Sequence, residues 1–551
     1  MGEIVPNEAK NTKRNPFLEV TTPNPRRRDV INAKNYFSKY CGSTSIHGMQ
    51  YLGERGRYII EKIVWLLIII TVATCSTILV LKTYNKWVTT PVIVTFATTE
   101  TSISTIPFPA VTICPEVKTD AGIFNFTDVF IKKLFQHELT LFEEEGYNSL
   151  SLVCSINAPT EENITNSNPI ADDFVILNLL TFFRDFNEAN ITQLFWRGES
   201  LDITQSLTYT FTSEGICYSF NMLDSQDILK NPEEYTVPTA KKSHTVRQWS
   251  LDKGYLTSDV IESYPLRTFL PGPHGGFLLD GMVAFRSDLD YICTESLQGY
   301  KVVLHHPAEW PNLDRHFRVP LNSAVYVGIE PKVTTVSPTL KDYDPEGRKC
   351  YFADERRLAY FLNYTQNNCL QECLSNYTMR KCDCIGFYMP KDKEYPICGV
   401  GSLKCLYESK IDYLKYDKDT CSCLPSCTSL EYDLEISLTD WDWHRAINAI
   451  RAMSKRFFAL EYEKVHLSKL AIYFKNNQFL SAERNELYGP VDFLSNVGGL
   501  LGLFIGISIT SFIEVLYFCT LRLYCNCKKY GRKYWSGEPD LVDEDEQMMR
   551  E

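Results

Sequence analysis

Two long uncharged runs interrupt an otherwise mixed pattern of polar and apolar residues. The first covers residues 63–81 and lies between Lys62 and Lys82, close to the roughly 20 residues that a helix needs to cross a bilayer. The second covers residues 493–521, where Glu514 is the single charge, and basic residues follow it. The pattern predicts two membrane spans with a large polar region between them.

The region between the runs alternates strand-like and helix-like patterns. Period-two alternation predicts strands at 301–304 and 465–474, helical periodicity predicts helices at 174–186 and 443–460, and residues 272–276 indicate a turn. No internal repeat is present. We therefore predict an α+β membrane protein with five segments: an N-terminal segment 1–62, a transmembrane helix 63–81, a mixed α/β domain 82–491, a second transmembrane helix 492–521 and a tail 522–551.

The basic residues set the orientation of the two spans. Residues 1–62 carry 11 Lys and Arg against 6 Asp and Glu, and a basic cluster at 528–533 follows the second span. The positive-inside rule predicts that both ends are cytoplasmic and that the middle region is extracellular, in the plasma membrane. No cleavable signal peptide is visible, so the first span is expected to act as a signal anchor. All five glycosylation sequons agree with this orientation, because they lie between the spans: Asn125, Asn163, Asn190, Asn363 and Asn376.

The cysteines are also concentrated between the spans. Of the 19 cysteines, an even number lies there, as disulfides require, and an extracellular location favours disulfides over zinc ligands. Spacings such as Cys369-x3-Cys373 and Cys382-x-Cys384 could otherwise form a metal cluster in a cytosolic protein. The remaining cysteines lie in the spans or the terminal segments: Cys41, Cys75, Cys519, Cys525 and Cys527.

The composition and the absence of catalytic motifs limit the classes of function that the chain can have. The 551-residue chain has a formal net charge of −12 and 44% hydrophobic residues, which argues against both a nucleic-acid binder and a disordered chain. Phosphate-binding, zinc-protease and esterase motifs are missing, so we predict neither an enzyme nor a cofactor. The pair His305-His306 ends a strand-like run, where one ring is expected to face the core and the other solvent, and no metal site is predicted.

The second span carries polar residues that a simple anchor does not need. Gly498, Gly502 and Gly506 recur every four residues and form a smooth face for close helix packing. Ser508, Thr510, Ser511 and Glu514 share the same apolar helix, and an intramembrane carboxylate is costly unless it faces protein or water. Arranged around a symmetry axis, these residues would line a cation pathway. A signalling receptor with a polar dimer interface explains this segment equally well.

Four motifs identify a resemblance that covers residues 46–524. They are Ile46-His47-Gly48 before the first span, residues 108–115 (FPAVTICP) after it, residues 421–427 (CSCLPSC), and Gly506-Ile507-Ser508 in the second span. Together with two spans and a cysteine-rich middle, they resemble the degenerin and epithelial sodium channel family.

The resemblance implies a trimeric, sodium-selective, amiloride-sensitive channel, either a homotrimer or a heterotrimer, with permeant Na⁺. The exterior is expected to contain palm, β-ball, finger, thumb and knuckle regions. By this resemblance Gly506, Ile507 and Ser508 form the selectivity filter, and bulky substitutions at Ser495 hold the channel open. His47 and Gly48 correspond to a loop that folds back into the inner pore, although the dipeptide alone would suggest a simple turn. The pore and gating set is completed by Gly498, Gly499, Gly502 and Glu514.

The cysteine pattern resembles the ladder of disulfides in the thumb of this family. It implies five nested pairs: Cys350–Cys427, Cys369–Cys423, Cys373–Cys421, Cys382–Cys405 and Cys384–Cys398. It also implies Cys114–Cys217, which leaves Cys154 with Cys293.

The sequence also bears on the stimulus that opens the channel. Residues 84–89 after the first span lack the histidine that acid-sensing relatives carry there, so peptide gating becomes attractive. Residues 124–186 are rich in aromatic and acidic residues that suit amidated peptides containing Arg and Phe, and the chain most resembles the FMRFamide-gated channels. The candidate ligand residues are Phe124, Asp128, Phe130, Asp172, Asp173, Phe174, Phe182, Phe183, Asp185 and Phe186. The alternative is that these rings are simply the buried face of helices.

Other functions remain as alternatives. A proton-gated or constitutively open channel of the same family is one. An ATP-gated trimer would need clustered exterior basic residues, and only Lys241-Lys242 comes close. A bitopic ectoenzyme or adhesion protein would explain glycans and disulfides but not the glycine-patterned second span. The basic residues at 528–533 suit anionic membrane lipid or a plain stop-transfer flank.

Overall fold

A computed structural model describes residues 25–89, 92–154, 168–172, 174–183, 190–232, 249–256, 263–293, 296–417, 421–453 and 464–537. The chain divides into two compact units. The first, which we call the terminal unit, combines residues 1–91 with 487–551, and the second, the middle unit, comprises residues 92–486.

Fifteen α-helices occur in the described residues, and most of the long ones lie in the terminal unit. In chain order they are α1 Pro25–Ser43, α2 Met49–Gly53, α3 Ile59–Thr89, α4 Phe126–Leu134, α5 Leu141–Leu150, α6 Val175–Phe182, α7 Ile203–Ser206, α8 Ser225–Ile228, α9 Pro345–Arg348, α10 Gln366–Cys382, α11 Leu403–Asp412, α12 Trp443–Met453, α13 Pro490–Ile505, α14 Ile509–Tyr517 and α15 Leu523–Tyr530.

The strands all belong to the middle unit. They are β1 Val92–Phe96, β2 Thr101–Ser102, β3 Ala110–Pro115, β4 Ile191–Trp196, β5 Glu199–Leu201, β6 Leu207–Thr212, β7 Gly215–Phe220, β8 Trp249–Ser250, β9 Gly254–Tyr255, β10 Phe277–Phe285, β11 Tyr300–His305, β12 Phe317–Val319, β13 Ser323–Val336, β14 Ser429–Asp440, β15 Val465–Phe474, β16 Gln478–Phe479 and β17 Ala482–Glu486.

Two sheets organise the middle unit. The larger has the order β1-β17-β13-β15-β10-β4-β5, with β14 paired to β13, and the smaller has the order β12-β11-β3-β7-β6. Phenylalanine rings connect the two sheets in one core, since Phe108 lies 5.5 Å from Phe474 and Phe220 lies 4.5 Å from Phe277 between ring centroids. The middle unit contains both helices and strands, as the sequence pattern predicted.

Helical disulfide-rich segments extend from the sheets. Helix α10 begins at an N-cap, Thr365, whose hydroxyl accepts from the Asn368 amide, and it ends at Asp383 in a left-handed conformation. The described structure contains seven disulfides, and they join the same seven pairs that the family resemblance implied: Cys114–Cys217, Cys154–Cys293, Cys350–Cys427, Cys369–Cys423, Cys373–Cys421, Cys382–Cys405 and Cys384–Cys398. Covalent bonds therefore fix the helices α10 and α11 to their surroundings.

Helix α3 is the one described helix that by itself is long and apolar enough to cross a membrane. Its bounds extend the predicted 63–81 at both ends. Helix α13 and the helical residues 509–530 pass the same test as a pair, bent by 66°, and count as a second crossing only if the pair forms one span. The single helix predicted for 492–521 is interrupted, because residues 506–508 separate α13 from α14, whereas the polar residues 510, 511 and 514 share α14 with Ser508 as its N-cap.

Candidate functional site

The break in the second apolar run falls on Gly506, Ile507 and Ser508. Gly506 ends α13 with φ at +77°, a left-handed conformation that glycine adopts without strain. Ser508 starts the next helix as its N-cap, because its hydroxyl accepts from the Ser511 amide at 3.4 Å. The glycine and the serine therefore end one helix and begin the next within three residues.

The break collects oxygen atoms within an apolar segment. The hydroxyls of Ser508 and Thr510 lie 2.6 Å apart, and the Ser511 hydroxyl donates to the Gly506 carbonyl at 3.4 Å. The Ser508 amide in turn donates to the Ser511 hydroxyl at 3.1 Å. Hydroxyl and carbonyl oxygens are the groups that replace the water around a hard cation in a pore. The break therefore places oxygen atoms of this kind next to one another.

The loop between α1 and α2 contacts this break. The His47 amide donates to the Ile505 carbonyl at 2.9 Å. A methyl group added at Gly506 would lie 2.8 Å from the His47 ring and 2.9 Å from the Ser45 carbonyl. Glycine at position 506 therefore permits the close approach of the loop, in addition to the left-handed backbone.

Ser45 makes contacts with the helix α14 that the sequence did not suggest. Its amide donates to Oε2 of Glu514 at 3.2 Å, and its hydroxyl lies 2.6 Å from the Ser511 hydroxyl. The Glu514 carboxylate, which was expected to need protein or water around it, therefore faces this loop. A polar residue two positions before the His-Gly pair is a weak sequence signal for such a contact.

Gly48 lies in the simple turn that the dipeptide alone suggested. It has φ at +81° and precedes α2 as a turn residue, and a methyl group there would lie 3.2 Å from Ile69 of α3. Tyr51 of α2 stacks on Trp65 of α3, with 4.2 Å between ring centroids. The turn thus holds the loop against α3.

The remaining pore candidates lie along α13. Methyl groups at Gly498 or Gly499 would meet nothing within 4 Å, and one at Gly502 would only reach the Ile507 carbonyl at 4.0 Å. Ser495 is exposed on the same helix. Among the residues that the structure describes, none fills the glycine-rich face.

The candidate ligand residues separate into buried and exposed groups. Phe124, Phe182 and Phe183 are 3%, 2% and 9% exposed, and the first two pack ring to ring at 5.1 Å. Phe130 is partly buried and stacks on Phe126. These rings form the core of the helical region, as the alternative of a buried helix face predicted.

The exposed members are Asp128 in the first turn of α4, Asp172, and Phe174 at 63% exposure. Phe142, which the sequence did not single out, is 46% exposed and lies 5.0 Å from Phe182. Asp173, Asp185 and Phe186 lie outside the described residues.

The sequons occupy different environments. Asn125 and Asn363 are exposed, and Asn376 is half-buried with its Oδ1 accepting from a tyrosine hydroxyl at 3.0 Å. Asn190 is 4% exposed and its amide donates to a backbone carbonyl at 3.4 Å. Asn163 lies outside the described residues.

A buried group of ionisable residues lies at the end of β11. His305 and His306 are 7% and 9% exposed, so the prediction that one ring faces solvent is wrong. Burial lowers the pKa of His305 to about 4 and that of His306 to about 3. Burial raises the pKa of Glu309 to about 7, against the opposing effect of a hydrogen bond with Thr365. In the part of the chain that the structure describes, no three acidic, His or Cys residues group to hold a metal.

Comparison with known proteins places these features in a family. Residues 40–518 match the family described as "Amiloride-sensitive sodium channel". The chain is 27% identical over 504 residues to pickpocket protein 28 of Drosophila melanogaster, covering 90% of this chain and 80% of the relative. It is 22% identical over 527 residues to the bile acid-sensitive ion channel of Homo sapiens, covering 92% and 88%.

A third relative is acid-sensing ion channel 1C of Danio rerio, at 22% identity over 490 residues, covering 86% of this chain and 82% of the relative. These relatives are ion channels and not enzymes. Because the family match spans most of the chain, the protein belongs to the amiloride-sensitive sodium channel family, that of the degenerin and epithelial sodium channels, and is a membrane sodium channel.

Proposed function

We propose that this chain forms a trimeric, sodium-selective, amiloride-blocked channel that an extracellular amidated peptide, such as an FMRFamide-like peptide, opens. In this proposal α3 and the bent segment 490–530 are the two spans, with both chain ends cytoplasmic. The observation that carries the pore is the break at Gly506, where hydroxyls and carbonyls gather within an apolar segment. Assembly as a homotrimer is proposed, and a heterotrimer with related subunits is the other possibility.

The proposed filter and gate rest on the same geometry. Gly506, Ile507 and Ser508 would form the narrow part of the pathway, and the unfilled glycine face of α13 would pack against a neighbouring subunit. The His47-Gly48 loop would line the inner side, since it already contacts the break. Bulky side chains at the exposed Ser495 would hold such a pore open.

The peptide site is proposed on the helical surface that α4, α5 and α6 form. Its exposed members are Phe142, Phe174 and Asp128, which offer rings and a carboxylate to a peptide with aromatic and cationic side chains. The buried Phe124 and Phe182 support Phe142 from below. Glycans are proposed at the exposed Asn125 and Asn363, and anionic lipid contact at residues 528–533.

Two-electrode voltage clamp on oocytes that express this chain alone tests peptide gating. We expect a sodium current that amidated peptides evoke and amiloride blocks. Phe174→Ala should shift the peptide dose response to higher concentration, whereas Phe269→Ala, with a ring 52% exposed outside residues 124–186, should not. A standing current with no response to any peptide in the panel would contradict peptide gating.

Proton gating is the second candidate, and Glu309 is the observation that favours it. A carboxyl with a pKa raised to about 7 is ionised at pH 8 and gains a proton as the pH falls to 6. The Glu309→Gln variant mimics the protonated form, so its current should change less than that of the wild type over this range. The absence of an acid-evoked current in the wild type would contradict proton gating, and an acid-evoked current that Glu309→Gln leaves unaltered would show that Glu309 is not the group that senses the proton.

A further inference from the structure

The chain that follows the pore segment turns back on itself and returns to α1. After α15 ends, Gly531 has φ at +81°, which reverses the chain direction. Residues 532–534 form a short 3₁₀ turn, and residues 535–537 complete what we call the return segment, 531–537. This segment lies in the terminal unit together with α1, so their contacts are internal to one compact body.

A buried amide joins α1 to the return segment. The Asn32 amide nitrogen donates to the Lys533 carbonyl at 3.1 Å, and its oxygen accepts from the Ser536 hydroxyl at 2.7 Å. Both side chains are 0% exposed. Leaving either polar group buried without its partner would destabilise the packing, because a buried polar group without a hydrogen bond is costly. The pair is therefore an anchor between two segments more than 500 residues apart in sequence.

Neighbouring contacts extend this anchor. The Lys39 ammonium donates to the Gly537 carbonyl at 3.0 Å, and the Asn526 amide donates to the Trp535 carbonyl at 3.1 Å. Gly537 has φ at +66°, and a methyl group there would lie 2.8 Å from the Asn526 amide. The return segment is thus shaped to fit between α1 and α15.

Aromatic rings hold the same face of α1. The Tyr36 ring lies 5.8 Å from Phe518 and 5.5 Å from Trp535, and its hydroxyl donates to the Phe518 carbonyl. Tyr40 lies 5.3 Å from Phe518. Positions 32, 36 and 40 are four residues apart and lie on one side of the helix. One continuous stripe of α1 is therefore fixed by the chain after α14.

The far end of α1 leads directly to the pore break. The helix ends at Ser43, about 16 Å along the axis from Asn32 at 1.5 Å per residue. Two residues later, Ser45 donates to the Glu514 carboxylate at 3.2 Å. A helix transmits displacement along its axis, so a shift at Asn32 would move Ser45 relative to Glu514.

We infer that Asn32 and Ser536 are positioning residues for the ion pathway: their buried hydrogen bond holds α1 so that the Ser45 loop contacts Glu514 and the break at Gly506. They act through α1 and do not touch the permeating ion. The inference rests on the proposed assignment of Gly506, Ile507 and Ser508 to the filter, but not on peptide gating.

Thiol accessibility on α1 tests the positioning directly and needs no agonist, because the native Cys41 of this helix is a free thiol and 0% exposed. Full-length channels in native membranes are treated with a maleimide, and peptide-resolved mass spectrometry follows the modification of Cys41 alone. Adding Asn32→Ala should speed modification at least about fivefold, because a loss of about 1 kcal/mol opens the contact by that factor. The matched control is Asn35→Ala, the same residue type on the next turn of α1 and only half-buried, which should leave the rate unchanged.

A cross-link and a permeability measurement complete the test. The Asn32→Cys and Ser536→Cys double variant should cross-link under copper phenanthroline, whereas neither single variant should. In a Ser495→Val background, chosen to conduct without agonist, Asn32→Ala should also change the Na⁺/K⁺ permeability ratio. If Asn32→Ala fails to reach the membrane, Asn32→Asp keeps the acceptor for Ser536 and loses the donor to Lys533.

Three results would overturn the inference: equal modification rates in the Asn32 variant and the wild type, no cross-link in the double variant, or a faster modification rate with an unchanged permeability ratio. Loss of peptide responses alone would leave all three measurements intact, so failure of peptide gating is distinguishable from failure of this inference.

Discussion

The two units of the chain are stabilised in different ways. The middle unit holds all seven disulfides, and five of them lie between Cys350 and Cys427. The five free cysteines all belong to the terminal unit, so no disulfide joins its described residues. Hydrogen bonds and ring contacts such as Asn32 with Ser536 and Tyr51 with Trp65 hold that unit together instead.

This difference suits a channel that must change conformation near its pore. A disulfide contributes about 2–4 kcal/mol and does not open reversibly under ordinary conditions. A hydrogen bond contributes about 1 kcal/mol net, within the few kcal/mol that separate populated conformations. The middle unit can therefore act as a fixed frame, while contacts such as Ser45 with Glu514 can exchange during opening.

Removing one bridge from the frame should have the largest effect on stability. Cys350 and Cys427 close a loop with a sequence separation of 77, so the double change to serine should cost about 4 kcal/mol in the chain-entropy account. We expect a clear fall in the melting temperature of the detergent-solubilised channel, measured by fluorescence-detected size exclusion. Changing the free Cys525 and Cys527 to serine provides the control. Equal melting temperatures for both double variants would contradict the contrast between the units.

An ionic network in the same frame should have the next largest effect. Burial raises the pKa of Glu214, but Lys118 and Lys301 outweigh burial and lower it to about 2. Lys301 lies 2.5 Å and Lys118 lies 3.2 Å from the Glu214 carboxylate oxygens. Because the folded pKa lies below the unfolded value, the network stabilises the protein above about pH 4.5 and loses this contribution as the pH falls towards 2.

The Glu214→Gln variant should therefore melt at a lower temperature than the wild type at pH 7, and this difference should shrink between pH 5 and pH 3. Glu143 is a matched control, because hydrogen bonds from Lys132 and Thr140 lower its pKa to about 2 as well. Its partner Lys132 has a side chain 47% exposed, against 4% for Lys118 and 13% for Lys301, so solvent screens the Glu143 ion pair more strongly. If Glu143→Gln destabilised the channel as much as Glu214→Gln, burial of the network would not be the cause.

Local patterns predicted many elements of the frame. Strand β15 has the bounds predicted from its alternation, 465–474, and β11 contains the predicted 301–304. Helix α6 is shorter than the predicted 174–186, ending at Phe182, and α12 begins at Trp443 as predicted. The remainder of 443–460, beyond Met453, lies outside the described residues. Period-two and period-3.6 patterns reflect which positions of one element are buried. This information is enough to assign a segment to a strand or a helix.

Contacts between distant segments could not be predicted in this way. Ser45 and Glu514 are 469 residues apart, and no periodicity connects them. Burial of both His305 and His306 depends on a ring of Trp249 and on the Thr112 hydroxyl, which come from other strands. The same holds for Phe124 and Phe182. Their aromatic rings suggested a ligand site, but both rings lie in the hydrophobic core. The exposed Phe142 belongs to the surface proposed for the peptide, and no feature of the sequence distinguished it.

Gly506→Ala is expected to give the smallest change in stability. It is also the sharpest test of the terminal unit, which the comparison distinguishes from the disulfide-rich middle unit. Alanine at φ +77° costs about 1–2 kcal/mol, and its methyl group would displace the His47 ring, now 2.8 Å away. The change should leave assembly and surface expression intact, because the disulfide frame is untouched, yet lower the Na⁺/K⁺ permeability ratio. Gly498→Ala, whose methyl group meets nothing within 4 Å, is the control, with both variants in the Ser495→Val background. An unchanged permeability ratio in Gly506→Ala would show that the break does not form the filter, whereas loss of surface expression would show that the terminal unit is as intolerant of change as the frame.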